Sequence, residues 1–170
     1  MKKILVTGGL GFIGSHTVVE LQQAGYEVVI IDNLYNSKIE VLDRIISITG
    51  IKPSYFNIDL RNKTAVKDFF NTNKVDGIIH FAASKAVGES VKNPLLYYEN
   101  NISTLVYLLQ EMKEHQLSNF IFSSSCTVYG QADELPITEN APVKSAESPY
   151  GNTKQIGEEI IQDVCSVNSN

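Results

Sequence analysis

Tyr150 and Lys154 stand at i and i+4 in the run Ser148-Pro149-Tyr150-Gly151-Asn152-Thr153-Lys154. That spacing puts both side chains on one face of a helix. A free phenol ionises near ~10 and is a poor base at neutral pH. A nearby ammonium and the positive end of a helix both favour a phenolate, which can take a proton from a hydroxyl. By itself the pair reads as a solvated surface couple, which is common. Ser123-Ser124-Ser125 changes the balance, because these serines close an apolar run. In an open α/β sheet, ligands bind beyond the carboxyl ends of the strands. Ser125 would then donate to a substrate oxygen while Tyr150 takes its proton. Ser123, and to a lesser degree Ser124, read as loop caps.

A second pattern lies at the opposite end of the chain. Thr7-Gly8-Gly9-Leu10-Gly11-Phe12-Ile13-Gly14 follows an apolar run and leads into a helical one. Gly8 permits a sharp turn, Gly11 clears the approach of a pyrophosphate, and Gly14 lets helix and strand pack closely. An anion would rest on the free amides of the helix start. Asp32 ends the second apolar run, where a carboxylate can accept from the hydroxyls of an adenosine ribose and repel a 2′-phosphate. Asp32 alone could be a turn residue; with the glycines it points to NAD rather than NADP.

These residues need a scaffold that delivers them to one sheet end. Five short runs read as buried parallel strands: Ile4 to Thr7, Val28 to Ile31, Tyr55 to Ile58, Gly77 to Phe81 and Phe120 to Ser123. Each is apolar on consecutive residues, as expected when both faces are covered. Between them, Ile13, Thr17, Val18 and Leu21 share a helical face ended by Gly25 as a cap. Leu42, Ile45 and Ile46 mark a second helix, and Val66, Phe69 and Phe70 a third. Asn93 as N-cap and Pro94 open a fourth that runs through Lys113, and Ser148-Pro149 a fifth to about Cys165. The alternation predicts a doubly wound α/β domain with a parallel sheet. From Gly130 to Glu147 no period is visible, which marks a long loop of the kind that is functional or mobile.

Composition removes other classes. The 170 residues carry a net charge of −5, with 43% hydrophobic and 19% charged residues. That is a globular balance suited to one domain, without the basic face a nucleic-acid binder needs. No apolar run is long enough for a membrane span. The opening Met1-Lys2-Lys3 leads straight into a strand rather than a signal peptide. Cys126 and Cys165 show no metal or disulfide spacing, so no metal site is expected and a reduced, cytoplasmic setting is the expectation. Cys126 reads as packing. Cys165 and His115 read as helix surface, and His16 as part of a helix opening.

The glycine spacing, with serine, tyrosine and lysine in that order, resembles the extended short-chain dehydrogenase/reductase superfamily. VTGGLGFIGSHT (6–17), DNLYNS (32–37), IHFAASKAVGESV (79–91), YYENN (97–101), NFIFSSSCTVYG (119–130) and SPYGNTK (148–154) are similar to the UDP-glucose 4-epimerase family. The resemblance implies a Rossmann fold with tightly held NAD and a UDP-sugar substrate whose C4 is transiently oxidised. It implies that Tyr150 exchanges the 4-hydroxyl proton, that Lys154 holds the nicotinamide ribose, and that Ser125 hydrogen-bonds the reacting oxygen. Phe12 and Ile13 would meet the pyrophosphate. Asp32, Asn33, Leu34, Tyr35, Asn36 and Ser37 would surround the adenosine ribose. Asp59 and Leu60 would lie at the adenine, Phe81, Ala82, Ala83, Ser84 and Lys85 along the cofactor, and Asn100 nearby. A homodimer through the fourth and fifth helices is also implied.

Against that family the chain ends before the sixth strand and before the C-terminal domain that holds the UDP moiety. The expectation is therefore a single, incomplete NAD-binding domain over 1–170, with strand five left as an open edge that invites self-association. Two alternatives stand beside a 4-epimerase: a non-catalytic NAD-binding module, and another nucleotide-sugar enzyme of this superfamily such as a 4,6-dehydratase. The dehydratase needs an added acid/base pair near strand five, and Ser125-Cys126-Thr127 offers none.

Overall fold

Backbone hydrogen bonds between runs of Val, Ile and Leu build a parallel sheet from β1 (Lys3–Thr7), β2 (Glu27–Ile31), β3 (Ser54–Phe56), β4 (Gly77–His80) and β5 (Phe120–Phe122). The spatial order is β3-β2-β1-β4-β5. The computed structural model describes residues 1–167. Within it the chain forms two compact units: Met1–Ala83 with Val106–Ser123, and Ser84–Leu105 with Ser124 onward.

The first unit is a doubly wound, Rossmann-type sheet. Strand residues alternate between two cores, as a period of two requires. Leu5, Val29, Ile31 and Ile78 pack with Val66, Phe69 and Phe70 of α3 (Lys63–Thr72) and with Leu108 and Met112 of α6 (Thr104–Glu114). Val6, Val28 and Ile30 pack with Val18 of α1 (Phe12–Gln23) and Leu42 and Ile45 of α2 (Glu40–Thr49). Each such side chain, fully buried, contributes about 1.5–3 kcal/mol. The strand order reverses between β1 and β4, which stay parallel, so the chain leaves both strands at one sheet end, the usual ligand side. There Thr7 and His80, register partners across the sheet, are hydrogen-bonded Oγ1 to Nδ1 at 2.7 Å and are buried.

The second unit is helical. It contains α4 (Val87–Lys92), α5 (Pro94–Tyr98), a π-helical turn (Glu99–Ser103), the start of α6, a 3-10 turn (Cys126–Tyr129) and α7 (Pro149–Val167). Ser148 caps α7 through its Oγ, which accepts from Gly151 N at 3.1 Å.

Several boundaries differ from the sequence reading. The expected helix from Asn93 to Lys113 is three segments, because the wide π-helical turn interrupts the apolar period. Asn93 makes no capping hydrogen bond from its side chain; the entry rests on Pro94 alone. α4 was not anticipated, since Gly88 and a missing cap leave no start signal. β3 sits one residue earlier and stops at Phe56, where its only neighbour, β2, ends. Ala24 is the cap of α1, and Gly25 follows it at φ +84°. His115 is not helix surface: it follows α6, half-buried, with Nε2 3.6 Å from Glu111 Oε2 and its ring against Phe70. Gly130 to Glu147 is irregular beyond the 3-10 turn, as expected. Among the described residues, no helix is long and apolar enough to cross a membrane.

Candidate active site

In the first unit the glycine turn is a bare-backbone cradle. Gly8 takes φ +68°, and a Cβ there would stand 2.8 Å from Ala82 N. A Cβ on Gly14 would stand 2.2 Å from Gly8 O, closer than any real contact. Gly11 precedes α1 in extended conformation, and by helix geometry the amides of Phe12, Ile13 and Gly14 have no acceptor within the helix. Phe12 and Ile13 are 77% and 59% exposed, so their side chains lie outside the core while their amides sit at the helix start. The arrangement suits an anion such as a diphosphate.

Asp32 is buried at the end of β2. Its Oδ2 accepts from Leu10 N at 3.0 Å, and its Oδ1 from Leu34 N at 2.9 Å and Ser37 Oγ at 2.6 Å. A carboxylate has about four acceptor positions, so room for one further donor remains. The same bonds hold Leu34 at φ +60°, a conformation rare outside glycine. Asn33 turns the chain by accepting from Tyr35 N at 3.0 Å, and Tyr35 and Asn36 are exposed. Tyr55, read from the sequence only as a strand residue, donates from its hydroxyl to Asp32 O at 3.2 Å.

Asp59 is gripped by Arg61, whose Nη2 lies 2.6 Å from Oδ2 and whose Nε lies 3.0 Å from Oδ1. That hydrogen bonding holds the Asp59 carboxyl at about 2, below the usual range, against a smaller opposing effect of burial. Leu60 buries its side chain in the core, which leaves only its backbone to face a ligand. Phe81 N donates to Thr7 O at 3.1 Å, and Ala82 N lies 3.4 Å from Thr7 Oγ1, so the chain after β4 is tied to the end of β1. Ala83 ends the first of this unit's two chain segments.

The second unit holds Ser84, Lys85, Asn100, Ser125, Tyr150 and Lys154. Ser125 Oγ accepts from Thr127 N at 3.3 Å and from Thr127 Oγ1 at 2.9 Å. Tyr150 is half-buried with its ring edge-on to Tyr97, centroids 6.5 Å apart. Lys154 is 4% exposed. Burial pushes its ammonium down to about 8, and the Glu158 carboxylate acts in the opposite direction. Gly151 lets α7 press on the 3-10 turn, since a Cβ there would lie 3.3 Å from Thr127 Cβ.

Lys85 is exposed, whereas Ser84 is buried and clamped at both backbone atoms by Asn101: Ser84 N donates to Oδ1 at 2.8 Å, and Nδ2 donates to Ser84 O at 2.9 Å. Asn100 donates from Nδ2 to that same Oδ1 at 3.0 Å. Asn101 is thus the buried hub, a residue that sequence reasoning passed over for its neighbour. Ser124, read as a loop cap, donates to the Glu158 carboxylate. Gln155 fastens the long loop, donating to Val128 O at 2.7 Å and to Lys144 O. Only the i+4 spacing of Glu158 from Lys154 could have flagged any of these.

Comparison with known proteins bears on both units. The family profile described as NAD dependent epimerase/dehydratase family matches residues 4–168. A UDP-glucose 4-epimerase of Dictyostelium discoideum is 50% identical over 164 residues, covering 96% of this chain and 47% of that protein. One from Yersinia pestis is 50% identical over 161 residues, 95% of this chain and 48% of that protein. The chain therefore spans about half the length of the curated relatives it matches. The crystal structure of UDP-glucose 4-epimerase from Bifidobacterium longum in complex with NAD+ and UDP superposes with a TM-score of 0.95 at 44% identity, over 98% of this chain and 50% of that one.

Proposed function

Since this chain belongs to the NAD-dependent epimerase/dehydratase family, we propose that it is the cofactor-binding part of a UDP-glucose 4-epimerase, acting on UDP-glucose and UDP-galactose. Bound NAD would supply the hydride acceptor and donor for C4 of the sugar. The bare backbone at Gly8, Gly11 and Gly14 with the free amides of α1 suits the diphosphate, and the remaining acceptor of Asp32 suits a ribose hydroxyl. Asn33 to Ser37 would line the ribose, the backbone of Asp59 and Leu60 the adenine, and Phe81 to Lys85 with Asn100 the rest of the cofactor.

Tyr150 takes the proton of the sugar 4-hydroxyl and returns it. Ser125 donates to the same oxygen, and Lys154, one helical turn along, holds the nicotinamide ribose and supplies positive charge. One observation carries this reading: a single compact unit contains a buried lysine four residues after a tyrosine, together with Ser125 at the N-cap of the 3-10 turn. A homodimer through the helices of 93–113 and α7 belongs to the same reading, and sedimentation velocity tests it.

The direct test has two arms. Purified chain is denatured and examined for released NAD by absorbance and mass, with saturable rebinding measured by titration; no binding overturns the reading. UDP-galactose turnover is then compared between this chain and the chain extended by the C-terminal half of the Dictyostelium relative. Turnover in the extended form is expected. NAD binding with no turnover in either form would instead mark a binding module without activity.

A further inference from the structure

Lys154 and Glu158 are i and i+4 on α7, and Glu158 also accepts from Ser124 Oγ. Ser124 directly precedes Ser125, the N-cap of the 3-10 turn. One carboxylate thus bonds the segment that presents Ser125 and stands one helical turn from Lys154. We infer that Glu158 is a positioning residue for the Ser125, Tyr150 and Lys154 set, fixing the serine segment through Ser124 and providing the counter-charge to the buried Lys154 ammonium. The inference deepens the proposed function and rests on it for the identity of that set.

An ammonium that is 4% exposed is costly to keep charged unless a partner carboxylate faces it. Burial drives Lys154 toward the neutral form, and Glu158 is the carboxylate that opposes this. The elements packed on α7 carry other titratable groups: Glu89 and Lys92 on α4, Tyr97 and Tyr98 on α5, Glu99 in the π-helical turn, and Cys126 and Tyr129 in the 3-10 turn. Glu89 is already engaged by Tyr97 Oη at 2.7 Å. On α7 itself Tyr150 and Glu158 flank Lys154 at four residues on either side.

The test is the pH dependence of unfolding of this chain, which needs neither cofactor nor substrate. Lys154 is held at about 8, below the 10.5 of a free lysine. The unfolded chain therefore binds more protons between those values, and stability rises with pH across that window. Lys154→Met should remove this rise, which identifies it. Glu158→Gln keeps an acceptor for Ser124 but removes the charge, and should start the rise about half a pH unit or more lower. Ser124→Ala should leave its position unchanged. A Glu158→Gln profile superimposable on that of the parent overturns the inference. If that variant does not fold, Glu158→Asp with side-chain NMR titration of Lys154 decides: an unchanged midpoint overturns it, and a lowered one supports it. Failure to bind NAD would instead defeat the proposed function and leave these profiles intact.

Discussion

Asn101 Nδ2 donates to Thr153 Oγ1 at 3.0 Å, joining the π-helical turn to α7 within the second unit. Thr153 passes its own proton to Tyr150 O at 2.7 Å. The turn that carries Asn101 and the helix backbone that carries Tyr150 are therefore linked through buried side chains. Asn101→Ala strands Ser84 N, Ser84 O and Thr153 together. It should lower unfolding free energy by about 2–4 kcal/mol, read as a lower urea midpoint with unchanged slope. A loss below about 0.5 kcal/mol would contradict the hub role.

Two glycine substitutions should have opposite signs. Gly14→Ala drives a Cβ into Gly8 O, a backbone atom that can move only by opening the turn. It should weaken NAD binding by about tenfold or more, equivalent to about 1.4 kcal/mol. Gly88 lies in α4 with open space where a Cβ would go. Gly88→Ala should raise stability by about 0.5–1 kcal/mol and leave binding unchanged. Calorimetric titration and denaturant unfolding on the same preparations separate the two.

Asp32 tests cofactor preference. Asp32→Asn retains the side-chain shape and removes the charge that would oppose a 2′-phosphate. The ratio of NADP to NAD affinity should rise by about tenfold. Asp32→Ala is the poorer probe, because it strips every acceptor from Leu10 N, Leu34 N and Ser37 Oγ, whereas Asn keeps one oxygen and can still serve Leu34 N and Ser37 Oγ. An unchanged ratio in titrations of the Asn variant would refute the ribose role.

Tyr150→Phe removes the proposed proton carrier and keeps the ring edge that meets Tyr97. Stability should stay within about 0.5 kcal/mol and NAD binding should persist. Turnover in the extended protein should fall by about a hundredfold or more. Parent-like turnover would remove Tyr150 from the reaction.

Much of the scaffold was legible because its signals are local. Short consecutive apolar runs bounded by turn residues fit strands covered on both faces, and Gly14 is demanded by a backbone oxygen that its missing Cβ would strike. Ser148-Pro149 announced α7 by cap chemistry. What stayed hidden depends on distant partners. The polar run Glu99-Asn100-Asn101 does break the mostly apolar stretch from Leu95 to Leu109, but nothing in it announces a π-helical turn, and only the widened turn brings Asn101 inward. Ser124 and Glu158 lie 34 residues apart, and no period connects a strand-end serine with a helix carboxylate. His115 looked solvated because burial by Phe70 follows from the packing of α3 near the end of α6.

The buried Thr7–His80 pair has a consequence for how the sheet assembles. With Leu5 and Val29 feeding one core and Val6 and Ile30 the other, sliding β1 by one position would exchange oil for oil on both sides. Hydrophobicity alone is thus a poor proofreader of alignment here. A hydroxyl and an imidazole that meet only when Thr7 lies opposite His80 act as the key that rejects a slipped sheet.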